Sequence, residues 1–343
     1  MKLGAEEESN VNTKLTPGKA AGLKAVSDER GVIAALALDQ RGLLKNMLVR
    51  ELQGVEPPEH MMSEFKTLVA SILTKHASSI LLDVEYGLSA AKDINGKGLL
   101  LAYEKSGYSP QFPEKLPTLT EGWSVMRLKE AGADAVKVLV FYSPFEDKWV
   151  NEQKKAWVER IGAECRALDM PMFLEFLSYK VGGGEEGDLA YAKLKPQIVR
   201  ASIEEFTKDK YGADALKVEI PISMVYTPGT SVYKGEQAYS QAEAKEIVRS
   251  CASLTDKPIV YLSAGVSNAV FVEMLQFALE SGAPFHGVLC GRATWQDGVP
   301  VYVKEGADGL KRWLETVGAQ NVERVNEVLK AATPWREAPG MKA

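Results

Sequence analysis

The chain has 343 residues, 45% of them hydrophobic, which is enough to bury the core of one barrel-sized domain. Its 46 acidic and 41 basic residues give a net charge of -5, a balance that does not favour a nucleic-acid partner. The three cysteines form no C-x-x-C pair and no apolar run approaches membrane-spanning length, so we expect reduced thiols in a soluble, cytoplasmic protein.

The N-terminal segment is polar and acidic and lacks the apolar core of a signal peptide. We expect residues 1–16 to form a disordered leader and the folded part to begin at Pro17. The first apolar run, residues 31–39, is typical of a buried parallel strand that ends in a polar loop, residues 39–42.

The rest of the chain alternates apolar runs with amphipathic helical patterns. Further strands are predicted at residues 78–83, 98–103, 132–140, 172–177, 212–221, 258–265 and 285–292. Predicted helices cover residues 58–73, 120–131, 147–168, 189–207, 241–253 and 268–280, and the last ones reach about residue 332. Such alternation also fits a doubly wound sheet, but eight units in one uninterrupted chain favour a single (β/α)8 TIM barrel, residues 17–336, with a loose tail, residues 337–343.

Two of the predicted strands carry a lysine inside an otherwise apolar pattern. Lys137 and Lys217 lie in similar phrases 80 residues apart, which is about two strand-helix units. Because alternate strands supply one layer of a barrel interior, the two lysines are expected to face each other. A lysine at a strand end can also extend to solvent over its apolar stem, and this interpretation stays open for each residue taken alone.

Glu175 lies on the predicted strand between the two lysine strands. It shares its face with Phe173 and Leu177, so its carboxylate is predicted to be buried among apolar neighbours. A buried carboxylate requires a partner or a raised pKa, and Lys137 and Lys217 would provide the partner.

The loops after strands seven and eight of a barrel commonly bind phosphate through main-chain N–H groups. The candidates at this place, together with the loop after the adjacent first strand, are Gln40, Arg41, Ser263, Gly265, Gly291 and Arg292. Glycine permits close approach of the backbone, and arginine offers a fork of donors to phosphate oxygens. The alternative is that the two arginines form structural ion pairs with Asp39 and Asp83.

An interior lysine beside a phosphate site favours Schiff-base chemistry on a sugar phosphate. The protonated imine withdraws electrons from the adjacent C–C bond, and a carboxylate that removes the neighbouring hydroxyl proton completes a retro-aldol cleavage. The spacing of the residues does not decide whether Lys137 or Lys217 forms the imine.

A metal is the alternative electron sink. The histidines of the chain are His60, His76 and His286. They have no H-x-x-H-type spacing, so we interpret them as structural. Asp39, Asp83 and Glu175 could bind a hard cation, but two adjacent lysines oppose it. We therefore predict no metal and no cofactor.

Seven ordered segments resemble one known family. They are residues 37–42, 81–87, 99–105, 134–137, 216–219, 262–266 and 287–295. Together they are similar to the bacterial class I tagatose-1,6-bisphosphate aldolases, over about residues 20–336. The resemblance implies a metal-independent barrel enzyme that cleaves tagatose 1,6-bisphosphate reversibly to dihydroxyacetone phosphate and glyceraldehyde 3-phosphate, and that tolerates epimeric ketohexose bisphosphates.

The resemblance also implies a role for each matching residue. Lys217 corresponds to the Schiff-base lysine, Glu175 to the acid/base carboxylate, and Asp39 and Lys137 to a supporting polar pair. The six phosphate candidates named above correspond to ligands of the substrate phosphates. The loops at residues 182–187 and 227–239 depart from the family pattern.

Two other functions stay open. One is cleavage of 6-deoxy-6-sulfofructose 1-phosphate, because that family shares the Asp-Gln-Arg, Lys-Val-Glu and Gly-Arg-Ala elements. The other is a metabolite-sensing regulator on the same barrel. The expected partner is a phosphorylated ketose, and we expect a homo-oligomer because symmetric association is the usual state of soluble enzymes.

Overall fold

The computed structural model describes residues 15–105, 115–183 and 186–341. Within these ranges eight parallel strands follow one another around a closed barrel, and β8 pairs with β1. The strands are β1 Ile33–Leu38, β2 Ser79–Leu82, β3 Gly98–Ala102, β4 Ala135–Phe141, β5 Met172–Leu177, β6 Ala215–Val218, β7 Ile259–Leu262 and β8 Gly287–Cys290. The predicted (β/α)8 architecture is confirmed, and the doubly wound alternative is wrong.

Helices cover the outside of the barrel and one of its ends. They are α1 Pro17–Ala25, α2 Gly42–Glu51, α3 Glu59–Leu73, α4 Val125–Glu130, α5 Lys148–Ala167, α6 Leu189–Phe206, α7 Gln241–Ala252, α8 Asn268–Glu280, α9 Arg292–Trp295, α10 Gly298–Trp313 and α11 Ala319–Leu329. A π-helical turn, Leu314–Gly318, joins the last two. The observed α8 has the predicted bounds, α6 and α7 end one residue earlier than predicted, and α5 is one residue shorter than predicted at each end.

Two helices differ more strongly from the expectation. The predicted helix from residue 120 begins only at Val125, because Gly122 has a left-handed φ of +76° and Ser124 caps the helix by accepting a hydrogen bond from the N–H of Arg127. The sequence analysis assigned no element to residues 43–57, where the structure forms α2, Gly42–Glu51, with Leu44 and Leu48 buried one turn apart.

The chain termini of the described part pack against the barrel. The side chain of Leu15 is partly buried, while the rest of the predicted leader, residues 1–14, lies outside the described residues. Of the predicted tail, residues 337–341 are described; they belong to two short turns, Trp335–Glu337 and Pro339–Met341, and Ala338 between them is buried. The N–H of Gly340 donates to the carbonyl of Asp256 at 2.8 Å.

The barrel interior is a column of inward side chains from all strands. It contains Ile33, Ala35, Ala37, Leu81, Leu100, Ala102, Ala135, Phe173, Ala215, Val260 and Leu289, with Leu23 and Val26 packed against it. The carbonyl of Val26 accepts a hydrogen bond from Ser79 Oγ at the start of β2, so α1 closes the N-terminal end. Inward positions alternate along each strand, and the apolar column occupies the first of them. Inward charged side chains therefore lie above this column, toward the C-terminal end of the barrel.

Two further predictions concern the chain as a whole. Cys165, Cys251 and Cys290 are buried and free, in agreement with the reduced thiols expected from their spacing. In the described ranges, no helix combines the length and the apolar composition that crossing a membrane requires.

Candidate active site

A buried charged cluster lies at the centre of the barrel, directly above the apolar column. Glu175 on β5 and Lys217 on β6 are register partners, and Lys217 Nζ lies 2.9 Å from Glu175 Oε2. Lys137 on β4 approaches the same carboxylate oxygen at 2.8 Å. The side chains of Lys137, Lys217 and Glu175 are only 1%, 4% and 8% exposed. The expectation that two lysines and a glutamate meet inside the barrel therefore agrees with the geometry.

Lys137 is surrounded by carboxylates. Besides Glu175 it contacts Asp39 Oδ2 at 2.7 Å and Glu104 Oε1 at 2.6 Å. Burial lowers the pKa of the Lys137 ammonium, but the charges of Asp39, Glu104 and Glu175 outweigh burial and hold this pKa well above the usual lysine value. Three acceptors match the three N–H donors of an ammonium, so Lys137 is a fixed cation.

The carboxylates differ in their electrostatic state. Burial raises the pKa of Asp39 and of Glu175, but the charges of Lys137 and Lys217 are stronger and lower both pKa values below the ordinary carboxyl range. Burial, assisted by the charge of Asp39, raises the pKa of Glu104 despite its contact with Lys137. Glu175 is thus ionised at neutral pH and available as a proton acceptor.

The sequence analysis did not identify Glu104 as a site residue. It lies two positions beyond Ala102, an inward residue of β3, just as Asp39 lies two positions beyond the inward Ala37 of β1. This alternation was the signal that could have found it. The main chain of Glu104 is fixed, because its carbonyl accepts from Arg41 Nη2 at 2.7 Å and from Thr120 Oγ1 at 3.2 Å.

A second polar group was also missed. Lys195 on α6 forms an ion pair with Glu219 Oε2 at 2.7 Å, and the N–H of Ser178 donates to Glu219 Oε1 at 2.7 Å. Tyr191 Oη donates to Ser178 Oγ at 2.6 Å. These contacts join the ends of β5 and β6 to α6. Their partners belong to different elements, so the pattern along the sequence does not predict them.

A cavity of about 470 Å³ opens over the cluster. Both Glu175 and Lys217 line it, so the reactive groups can meet a ligand. Of the predicted phosphate ligands, those that line it are Gln40, Ser263, Gly291 and Arg292. Such a volume is within the usual range of small-molecule sites.

The loops after β7 and β8 form the phosphate side of this cavity. Ala264 and Gly265 have consecutive left-handed φ values of +49° and +81°, a conformation that costs energy at an alanine and is common at ligand sites. A Cβ built on Gly265 would lie 2.5 Å from the guanidinium of Arg292, so only glycine leaves the arginine its place. Within the described residues, no carboxylate lies at ion-pair distance from Arg292.

Arg41 has a different environment from Arg292. Its side chain is 4% exposed and pairs with Glu85 at 3.1 Å. Asp83, one of the two proposed partners of the arginines, instead pairs with Lys66, both fully buried. The alternative in which the arginines pair with Asp39 and Asp83 is therefore not what the structure contains.

Two loops that depart from the family pattern lie near the site. The segment after β6 lines the cavity with Ile222, Met224 and Val232, and the N–H of Ser231 donates to Glu273 Oε1 at 2.7 Å. In the other loop Gly182 and Gly183 form an exposed turn, while residues 184 and 185 lie outside the described residues. The former segment therefore covers the site and is fastened to α8.

The described residues contain no group of three or more acidic, cysteine or histidine side chains arranged to hold a metal ion. Asp39, Glu104 and Glu175 converge on the ammonium of Lys137 instead. His286 has a structural contact, since its Nδ1 accepts from the N–H of Ile259 at 3.0 Å.

The arrangement contains the parts of an imine-forming carbon–carbon lyase. Lys217 faces the cavity, Glu175 can exchange a proton beside it, and Lys137 supplies a permanent positive charge. An arginine and a glycine-containing turn lie at the other side of the cavity, where a phosphate oxyanion would be stabilised.

Known proteins are similar to this chain over nearly its whole length. A family model described as DeoC/LacD family aldolase matches residues 33–297. A tagatose 1,6-diphosphate aldolase of Listeria monocytogenes is 49% identical over 324 residues, 94% of this chain and 95% of the relative. A tagatose 1,6-diphosphate aldolase of Lactococcus lactis is 46% identical over 325 residues, 94% of this chain and 99% of the relative.

Solved structures share the fold at low sequence identity. A fructose-bisphosphate aldolase from Plasmodium falciparum aligns with a TM-score of 0.66 and 13% identity, over 93% of this chain and 97% of that one. A Schiff-base-forming fructose-1,6-bisphosphate aldolase aligns with a TM-score of 0.52 and 15% identity, over 86% of this chain and 98% of that one. At such identities the likeness concerns the barrel alone.

Proposed function

The chain belongs to the DeoC/LacD family of aldolases, and on that premise we propose that it cleaves tagatose 1,6-bisphosphate to dihydroxyacetone phosphate and glyceraldehyde 3-phosphate. The observation that carries the proposal is the position of Glu175 Oε2, 2.8 Å from Lys137 and 2.9 Å from Lys217. This oxygen can act as the proton acceptor, and the cavity-facing Lys217 beside it can act as the nucleophile, while Lys137 stays charged.

Lys217 is proposed as the residue that forms the imine. As a neutral amine its Nζ attacks the C2 carbonyl of the open-chain ketose, and loss of water leaves a protonated imine. Lys137 is unsuited to this step because three carboxylates occupy its N–H groups and hold its proton. The contacts thus support the choice between the two lysines that residue spacing leaves open.

Glu175 is proposed to accept the proton of the C4 hydroxyl. The C3–C4 bond then breaks, its electron pair moves toward the imine, and glyceraldehyde 3-phosphate leaves. Protonation at C3 and hydrolysis of the imine release dihydroxyacetone phosphate and return the free amine. The lowered pKa of Glu175, opposed by burial but favoured by Lys137 and Lys217, supports its role as the base.

The substrate phosphates are proposed to bind the loops after β7, β8 and β1. Arg292 supports this assignment best, because it lines the cavity without an ion-pair partner among the described residues. Ser263, Gly265 and Gly291 offer the adjacent backbone. Gln40 lines the same cavity, and Arg41 lies beside it with Nε lacking a hydrogen-bond partner in the described part of the chain.

Neither of the other two functions receives support from a specific observation. The relatives carry the tagatose name, which favours a bisphosphate over the sulfonated sugar. Intact Lys217 and Glu175 disfavour a purely regulatory role. Cytoplasmic localisation, a homo-oligomeric state, the absence of a nucleic-acid partner and metal-independent chemistry all stay predictions.

Borohydride reduction in the presence of substrate tests the proposal. The enzyme is incubated in parallel with tagatose 1,6-bisphosphate, fructose 1,6-bisphosphate and sulfofructose 1-phosphate, reduced, digested and mapped by mass spectrometry. We expect an adduct on Lys217 and the fastest turnover with a ketohexose bisphosphate. Lys330→Met, which removes an exposed ion pair with Glu327 on the outside of the fold, is the control and should keep the adduct. An unmodified Lys217 with all three sugars would refute the imine mechanism.

A further inference from the structure

Glu104 is the one carboxylate of the Lys137 cluster for which neither the residue spacing nor the family resemblance suggests a role. Its Oε1 lies 2.6 Å from Lys137 Nζ, and its side chain is 5% exposed. It does not line the cavity, whereas Glu175 does. Any effect of Glu104 on the substrate is therefore indirect, and Lys137 is the group that its carboxylate contacts.

Glu175 has two tasks that conflict. It is one of three acceptors that hold the ammonium of Lys137, and it is the proposed proton acceptor of the reaction. Each time Glu175 takes a proton, its negative charge disappears and Lys137 loses one of its counterions. The cation then depends on its remaining contacts, with Asp39 Oδ2 at 2.7 Å and Glu104 Oε1 at 2.6 Å.

The geometry of Glu104 suits a fixed partner of Lys137. Its carbonyl is fixed by Arg41 Nη2 at 2.7 Å and by Thr120 Oγ1 at 3.2 Å, so the side chain starts from a fixed backbone. Its second oxygen, Oε2, is buried and has no hydrogen-bond partner among the described residues. The charge of Glu104 is therefore stabilised chiefly by Lys137, and the two groups favour each other's ionised forms.

On the basis of the proposed function, we infer that Glu104 is a positioning residue that keeps Lys137 charged and in place while Glu175 gains and loses its proton. With Asp39 it encloses Lys137 from the side of β1 and β3, opposite to Glu175 on β5. Lys137 can then stabilise the negative charge of Glu175, its neighbour in the cavity wall, each time Glu175 releases its proton.

The pH dependence of this cluster follows from the groups that face Lys137. They are Asp39 after β1, Arg41 before α2, Glu104 after β3, Glu175 on β5, Lys217 on β6 and Arg292 on α9. Removing the charge of Glu104 takes away one of the effects that raise the pKa of Lys137. The loss of the Lys137 proton should then begin at lower pH.

Glu104→Gln tests the inference, because glutamine keeps an oxygen acceptor for Lys137 and removes only the charge. We expect kcat to fall about 10- to 100-fold and KM to change less than about threefold, the pattern of a misplaced charge near the reacting atoms. The alkaline decline of kcat should begin about one pH unit or more lower, as expected for the loss of one close opposite charge. Glu104→Asp keeps the charge and should keep the wild-type pH profile.

Two controls separate the possible failures. Glu121→Gln removes a carboxylate that is 86% exposed on the segment after β3, and should leave kcat and the pH profile unchanged. The wild-type adduct on Lys217 tests the proposed function, so a normal adduct combined with an unshifted Glu104→Gln profile overturns only the inference. An equal pH shift in Glu104→Asp and Glu104→Gln also overturns it, because charge would then not be the cause.

A titration of the wild-type enzyme adds a readout that does not depend on turnover. With ¹³C-labelled lysine, the Cε signal of Lys137, assigned through Lys137→Arg, follows its protonation directly. We expect this signal to keep its charged position beyond the pH at which exposed lysines titrate. Titration of Lys137 together with the exposed lysines would contradict the inference.

Discussion

Glu175 Oε2 lies 2.9 Å from Lys217 Nζ, and the two residues are direct register partners on adjacent strands of the barrel. Parallel pairing places both side chains on the inner face as neighbours across the two strands, so their contact is built into the sheet. Neither side chain needs a loop to position it, which is the rigid support that a catalytic pair requires.

Glu175→Gln should separate imine formation from bond cleavage. Glutamine cannot accept the hydroxyl proton, so we expect kcat to fall by about 10²- to 10⁴-fold, the usual contribution of a general base. The adduct with Lys217 should still form on borohydride reduction. Glu164→Gln, on α5 and outside the cavity, is the control and should keep kcat within about threefold. Wild-type turnover in Glu175→Gln would remove Glu175 from the mechanism.

Arg292→Ala should weaken binding of the bisphosphate substrate more than it slows the reaction. The loss of charge-assisted hydrogen bonds to a phosphate corresponds to about 1.5–3 kcal/mol, or about a 10- to 100-fold rise in KM. Gly265→Ala should act in the same direction, because its Cβ would lie 2.5 Å from the Arg292 guanidinium. Competition by inorganic phosphate provides a second readout, and both variants should require more phosphate for inhibition.

Arg249→Ala is the matched control for these two variants, since Arg249 is 58% exposed and pairs with Glu246 on α7. Its KM should equal that of the wild type. Unchanged KM values and unchanged phosphate inhibition in Arg292→Ala would assign the phosphate site to other residues.

His286→Asn should flatten the dependence of stability on pH between 7 and 5. Burial lowers the pKa of His286 to about 4, while a histidine in the unfolded chain has its ordinary pKa of 6.5. Between these values the unfolded state binds more protons than the folded state, so the free energy of unfolding falls as the pH falls. An asparagine oxygen can replace Nδ1 as acceptor for Ile259 and does not titrate.

Urea midpoints measured at pH 7, 6 and 5 check this prediction. The wild type should lose more of its midpoint over this interval than His286→Asn does. His60→Asn, at an exposed position of α3, should behave as the wild type does. Parallel curves for the wild type and His286→Asn would contradict the assignment.

Lys66→Met should destabilise the fold strongly. Lys66 and Asp83 form an ion pair in which both side chains are fully buried, and Lys66 Nζ also donates to the carbonyl of Leu38 at 2.8 Å. Removing the lysine leaves a buried unpaired carboxylate, a change that typically costs about 3–5 kcal/mol. Guanidinium unfolding at neutral pH gives the difference directly.

The double variant Lys66→Met with Asp83→Asn should recover part of that loss, because the remaining amide carries no charge. Lys330→Met, which removes an exposed pair with Glu327, should leave the unfolding midpoint unchanged. A single Lys66→Met variant as stable as the wild type would show that Asp83 finds another partner or a proton.

Local pattern by itself determined the order of the elements and the inward faces of the strands. Continuous apolar runs, separated by amphipathic helices, specify parallel strands buried on both faces, and the predicted bounds of β5 agree with the observed ones. The parity of strand positions placed Lys137, Glu175 and Lys217 in one interior. At the start of α4, where the sequence expectation differed, the left-handed Gly122 and the cap formed by Ser124 set the boundary.

Only the tertiary structure decided which charged groups meet and what each contact does. Glu104 is 33 positions from Lys137, and Lys66 is 17 positions from Asp83, and closure of the barrel brings them together. The different pKa directions of Asp39, Glu104 and Glu175 likewise depend on how many opposite charges surround each buried carboxylate. The sequence pattern predicts which way each side chain points, but not the distances between side chains. Electrostatic energies depend on those distances and on burial, so only the tertiary structure determines them.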